Sequence, residues 1–165
     1  MDHKTIFASL DRFEKGGVEI IDDDVKHYAF SNVFEVANKS LPYEKVVVAK
    51  NMQYVLEAVR AEGTSSWFAA SHDEFAILLD GELEVDFVAL DDAQAAIPPA
   101  ASGTISIAGE PQGSRMGMVR LKRGHQALLP AGSAYRFRAT HPGVLLIQTV
   151  ADPLSIEKWR EICLH

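Results

Sequence analysis

The sequence contains a single cysteine, Cys163, so no intrachain disulfide can form and no CxxC metal knuckle exists. It also lacks any excess of positive charge, since 16 Lys and Arg stand against 23 Asp and Glu, a formal net charge of −7. That balance gives no electrostatic reason to expect nucleic acid or an anionic membrane as a partner, because both select basic faces. No apolar run approaches the roughly 20 residues that cross a bilayer. The opening "MDHKTIFASLDRFEKGG" interrupts its apolar positions with charges, unlike the core of a signal peptide. These absences predict a cytoplasmic protein in a reducing compartment. Nucleophile chemistry lacks its frame as well: Ser65 and Ser66 have no G-x-S-x-G elbow, Cys163 has no patterned His, and there is no Gly-rich phosphate loop.

What is present describes one globular domain. The chain has 165 residues, 47% hydrophobic and 24% charged, enough to bury a core without a covalent or metal staple. Ile6, Leu10 and Phe13 fall on one face of a short helix that Gly16 and Gly17 would end, and the run Asp22, Asp23, Asp24 reads as a solvated turn. From Lys45 the texture becomes β-branched and alternating through "KVVVAKN", "QYVLEAVRAEG" and "SWFAASHDEFAILLDGELEVDFVAL", with Asp80-Gly81 as a tight hairpin turn. "LDDAQAAIPPAASGTISIAGEPQG" reads as a long loop between strands. Four more short strands follow in "SRMGMVRLKRG", "HQALLPAG", "SAYRFRATH" and "GVLLIQTVA". The tail "DPLSIEKWREICLH" reads as a helix capped by Asp152 or Ser155, with Ile156, Trp159 and Cys163 as its apolar stripe. Strand following strand argues for an all-β sandwich or barrel rather than βαβ units. The basic cluster from Arg115 to Arg123 is expected to alternate with buried positions on a solvated strand face. Arg136 and Arg138 flank Phe137, so they point the same way. They can clamp a carboxylate or, the reading preferred, form a charged exterior beside a buried ring.

Two passages resemble the paired motifs of the cupin superfamily, a small double-sheet β-barrel. In G-x5-H-x-H-x3,4-E-x6-G, Glu74 and Gly81 match the second half; in G-x5-P-x-G-x2-H-x3-N, Gly124, Pro130 and Gly132 match the frame. Three His and one Glu hold the metal of metal-binding cupins. Here the first two His positions fall on Trp67 or Phe68 and on Ala69 or Ala70, and Tyr135 stands in place of the third. A carboxylate and a phenol are a poor donor set for Fe(II) or Zn(II), so no metal, catalytic or cofactor-binding residue is expected in this chain. His72 and Glu74, two apart, could complete a site only with His125 or His141, which lie off the motif positions; a structural His–Glu contact is the preferred reading.

The run "IIDDDVKHYAFSNVFEVANKSLPYEKVVVAKNMQYVLEAVRAEGTS", then "SHDEFAILLDGELEV", and finally "DPLSIEKWREICLH" resemble the small (alpha) subunit of the two-component hydroquinone 1,2-dioxygenases. The resemblance implies an all-β, cupin-type jelly roll with a short N-terminal helical segment and a C-terminal helix. A single domain over 1–165 is expected, divided into an N-terminal extension (1–44), the barrel (45–151) and the helix (152–165). It further implies a larger cupin-type partner, in an α2β2 hetero-oligomer, that carries the Fe(II). The complex would open hydroquinone with O2 to 4-hydroxymuconic semialdehyde. Within such a complex Trp67 and Tyr135 are candidates for an aromatic wall of the pocket, or else fill the barrel interior, and His72 and Glu74 complete the candidate set. The competing readings are a stand-alone metal-free cupin that binds a small aromatic, and an atypical metallo-cupin built on His72 and Glu74.

Overall fold

The computed structural model describes residues 8–13 and 33–158. After a short helix α1 (Val33–Asn38), five strands run in succession: β1 (Lys45–Asn51), β2 (Tyr54–Thr64), β3 (Trp67–Ala70), β4 (Glu74–Asp80) and β5 (Glu82–Leu90). A four-residue helix α2 (Ala93–Ala96) precedes β6 (Thr104–Ile107), β7 (Gly113–Lys122), β8 (Gln126–Leu129), β9 (Ser133–Val150) and β10 (Ser155–Ile156). Every pairing between these strands is antiparallel except β1 with β10. The fold is therefore all-β.

The long strand β9 organises the sheet. Its first half pairs with β3 and β5, its second half with β2 and β4. Two layers result, ordered β6-β3-β9-β5-β7 and β10-β1-β2-β9-β4-β8, which share β9 and curl toward each other. Alternation decides which side chains face the space between them. Tyr135, Phe137, Leu145 and Ile147 of β9 meet Leu83, Val85 and Phe87 of β5, Ala76 and Leu78 of β4, and Val59 and Ala61 of β2 in one buried cluster. On the outer side of β1 and β2, Val46, Val48 and Ala58 are covered by Val36 of α1.

Sequence expectation and structure part at identifiable places. Asp80-Gly81 does not close a hairpin, because β4 and β5 do not pair with each other but lie end to end along β9. Gly81 makes the step between them at φ +83°, and Gly143 lies directly opposite, where an added Cβ would come within 2.5 Å of the Asp80 carbonyl oxygen. The supposed loop 90–113 contains α2, whose first turn is capped by Asp92 through a bond from the Ala95 amide, and the strand β6. Two of the four late strands fuse into β9.

The opening helix is absent over 8–13. These residues form a tight turn bridged between Ser9 and Arg12, with the Leu10 amide donating to Asp80 Oδ2 rather than to a helical carbonyl. Leu10 is nevertheless buried, against Ala37 and Val144. The expected tail helix is likewise absent through residue 158. Asp152 Oδ1 accepts from the Leu154 and Ser155 amides as a cap would, but the Ser155 hydroxyl donates to buried Glu57, and Ser155–Ile156 run alongside β1. Ile6, Gly16, Gly17, the Asp22–Asp24 run, Trp159 and Cys163 lie outside the described residues. Strand β7 does not alternate as expected: it pairs only with β5, and within it Leu121 alone is buried.

Gly143→Ala places a methyl group against backbone that cannot recede without separating β4 from β9. A loss of about 2 kcal/mol or more is expected, read as a lower urea midpoint at unchanged m-value.

Candidate functional site

Hydrocarbon does not fill the whole space between the layers. At one end β1, β2, β4, β6 and β9 each turn a polar side chain inward: Lys45, Glu57, Glu74, Thr104, and from β9 both Tyr135 and Thr149, all buried. Burial of so many polar groups is tolerable only if they satisfy one another. Tyr135 donates its hydroxyl to Glu74 Oε2 at 2.6 Å, and Thr104 donates to Glu74 Oε1 at 2.5 Å. Lys45 Nζ donates to Thr104 Oγ1 at 3.3 Å and to Glu57 Oε2 at 3.4 Å, while Ser155 closes the other oxygen of Glu57 at 2.6 Å. The Phe68 ring completes the ammonium's surroundings, its centroid 5.1 Å from Nζ.

The electrostatics follow from burial. Desolvation, then the adjoining negative charge of Glu74, push the Tyr135 phenol well above its ordinary range, so it remains a neutral donor. Glu57 is also pushed up by burial, against which Lys45 and the Ser155 bond pull it down. Beyond this cluster, Tyr43 stacks on Phe137 at 6.1 Å and donates to the Gly63 carbonyl at 2.7 Å, and burial raises its phenol to about 12.

The donor set does not fit a divalent metal. Both oxygens of Glu74 are taken, Tyr135 holds its proton, and an ammonium ion lies one hydroxyl away. Among the described residues no group of three or more His, Cys, Asp or Glu could hold an ion. His72 reaches Thr149 Oγ1 at 3.1 Å, so its link to Glu74 passes through Thr149 and Thr104 rather than along one strand face; both residues of the pair precede or begin β4. His125 is exposed, its Nδ1 accepting from the Lys122 amide, and His141 is exposed beside Gly81.

The two aromatic candidates part company. Tyr135 pairs with Phe68 in the interior, at 5.9 Å between rings. Trp67, one residue before Phe68, faces the outside of the same strand. There the Arg136 guanidinium lies over its ring at 4.4 Å, and its Nε1 donates to Glu110 Oε2 at 3.2 Å. Arg136 and Arg138 are not open to clamp a ligand, since both bond Asp86, with Glu110 and Glu84 as further partners. Phe137 between them is buried.

Lys45, Glu57, Thr104 and Thr149 were not picked out from the sequence. The available signal was a charged residue at an inward position of an otherwise apolar strand, Glu57 between Val55 and Val59 and Lys45 two before Val47. Thr104 carried none, because its strand was read as loop.

Two curled layers with glycine and proline at the motif turns define a cupin barrel, and its emptied ligand positions define a cupin without the usual metal set. No family model and no curated protein matches the chain. Solved structures do. A chain of the hydroquinone 1,2-dioxygenase PnpCD, crystallised with Cd2+ and 4-hydroxybenzonitrile, is 60% identical, with 99% of this chain and 98% of that chain covered and a TM-score of 0.85. A chain of hydroquinone 1,2-dioxygenase from Sphingomonas sp. TTNP3 with 4-hydroxybenzoate bound is 50% identical, covering 98% of each at a TM-score of 0.89. The chain belongs to the hydroquinone 1,2-dioxygenase family. A cupin-2 protein of Shewanella frigidimarina, 18% identical over 71% of this chain and 89% of that one at a TM-score of 0.51, shares the fold.

Tyr135→Phe leaves Glu74 Oε2 buried without its donor, an expected loss of about 1–3 kcal/mol measurable by urea titration. A second expectation concerns alkali. The unfolded chain releases its tyrosine protons near the ordinary value of 10, whereas folded Tyr43 holds its proton to about 12. The unfolded state therefore binds fewer protons between those values, and stability falls as pH rises through that window. Tyr43→Phe should flatten the fall in Tm from pH 10 to 12.

Proposed function

We propose that this chain is the smaller, non-metal-binding subunit of a cytoplasmic, Fe(II)-dependent hydroquinone 1,2-dioxygenase, paired in an α2β2 assembly with a larger cupin-type chain that holds the iron. One observation carries the reading. PnpCD structures match this chain in two ways: as a full-length relative at 60% identity, and through a second kind of chain at 14% identity and a TM-score of 0.58, of which the matched fold makes up only 38%. The second match concerns fold alone, and it fits a larger partner built on the same barrel. The PnpCD structure containing that longer chain is a complex with Fe3+.

On this reading the bound iron supplies Lewis acidity and redox chemistry for ring opening, in which hydroquinone takes up both atoms of O2 to give 4-hydroxymuconic semialdehyde. This chain contributes structure. Its interior is closed by the Tyr135–Glu74–Thr104–Lys45 cluster, so substrate is not received there. Trp67, on the outer face of β3 but itself buried beneath Arg136, is the motif-position aromatic directed away from this interior and the candidate for the wall of a neighbouring pocket.

Native mass spectrometry with iron analysis, on tagged protein purified from its own host, tests the assembly. Co-purification of a larger, iron-bearing chain is expected. Recovery of this chain alone and metal-free would favour a stand-alone cupin that binds an aromatic ligand. In the assembled enzyme, Trp67→Ala should lower kcat/KM by about tenfold or more, as expected when a positioning wall is lost, with iron content and subunit ratio unchanged. Unchanged turnover would remove Trp67 from the pocket.

A further inference from the structure

A barrel of this fold normally presents an inward Glu to a metal ion. Here the same Glu74 lies in a cluster that already contains a positive charge belonging to the chain. Lys45 enters from β1, which β2 and β9 separate from β4; it is 3% exposed, with its Nζ between Thr104 Oγ1, Glu57 Oε2 and the face of Phe68. Every oxygen around it is an acceptor or can become one, and Thr149 Oγ1 stands 3.5 Å from Thr104 Oγ1 behind it. Two carboxylates with no cation between them would be among the most costly arrangements a protein interior can hold. Lys45 is the only lysine or arginine hydrogen-bonded to this cluster among the described residues.

We infer that the Lys45 ammonium is the resident cation of this barrel: it replaces the charge of a metal ion at the Glu57–Thr104–Glu74 oxygens and thereby keeps divalent metals out of this chain. The absent histidines remove the nitrogen donors a metal would prefer, but they leave an anionic, oxygen-lined cavity that hard cations could still enter. A tethered ammonium neutralises that cavity without being lost by dilution, chelation or exchange. Its three donors suit two oxygens and an aromatic face, whereas a doubly charged ion brought beside it would meet direct repulsion.

The inference does not depend on the identity of any partner chain, so its failure and that of the subunit reading are separable. Its test is removal of the tether. Lys45→Ala deletes the ammonium and leaves its space, while Lys45→Met deletes the charge and fills the space. Co2+, Mn2+ and ammonium chloride are the probes, read on the full-length chain by calorimetric titration and Tm. Lys45→Ala is expected to take up about one equivalent of Co2+ or Mn2+, or to be stabilised by ammonium, with a Tm rise of several degrees at saturating probe. Wild type and Lys45→Met should show no such uptake, and adding Glu74→Gln to Lys45→Ala should abolish it. If Lys45→Ala is recovered only as insoluble protein, refolding with and without each probe replaces the titration, and probe-dependent recovery is the expected result. No uptake, no stabilisation and no rescue by any of the three would overturn the inference. So would wild-type protein that binds Co2+ through Glu74.

Discussion

The structure depends on a single strand that is paired along both edges and bent in its middle. The eighteen residues of β9 serve four partners, one edge passing from β3 to β2 between Tyr135 and Arg138 and the other from β5 to β4 between Arg138 and Val144. This double use makes two layers out of one continuous sheet and sets the interior between them. It also explains why two glycines meet at the turn. Where β4 hands over to β5, the backbones of Asp80 and Gly143 approach more closely than any side chain permits. The crossing lets Leu78 and Leu83 share one core with Phe137 and Leu145, although their strands lie in different layers.

Much of this was legible in the residues. Alternation in β2, β5 and β9 announced an all-β chain because inner and outer faces differ so sharply: Leu83, Val85 and Phe87 against Glu82, Glu84 and Asp86. The motif glycines and proline named the barrel. Neither could reveal whether Asp80-Gly81 reversed the chain or only kinked it, because a left-handed glycine serves both and the choice is made by β9, sixty residues away. Residues 8–13 and 152–158 depart from helix for a related reason. Leu10 and Ile156 have helical spacing to their neighbours, yet the Asp80 carboxylate captures the first segment and Glu57 with β1 captures the second. Local propensity lost to distant hydrogen-bond partners.

The site was half legible. Glu74 and Tyr135 were found by motif position, and their direct bond shows how a tyrosine is accommodated at the motif's histidine position: a phenol whose proton is held by burial needs an acceptor, and the carboxylate at the motif's glutamate position provides one. Trp67 was found by the same count but belongs to the other face of the strand, since adjacent residues in a strand point apart. Which of Trp67 and Phe68 entered the barrel could be settled only by register, and the pairing of Phe68 with Tyr135 settles it. Lys45 escaped notice because a charged residue at the first position of a strand is ordinarily solvated, and Glu57 because a lone carboxylate within a strand ordinarily lies on its outer face.

The parallel strand β10 bears on the order in which the chain is made. Of the ten strands among the described residues it is the last to leave the ribosome, yet it lies beside β1, the first of them, and its Ser155 supplies the hydroxyl that completes Glu57. Until residues 152–156 emerge, the nascent chain carries β1 with an uncovered edge and a carboxylate short of a donor. The polar cluster thereby becomes fully satisfied only after the nine other strands among the described residues have been translated.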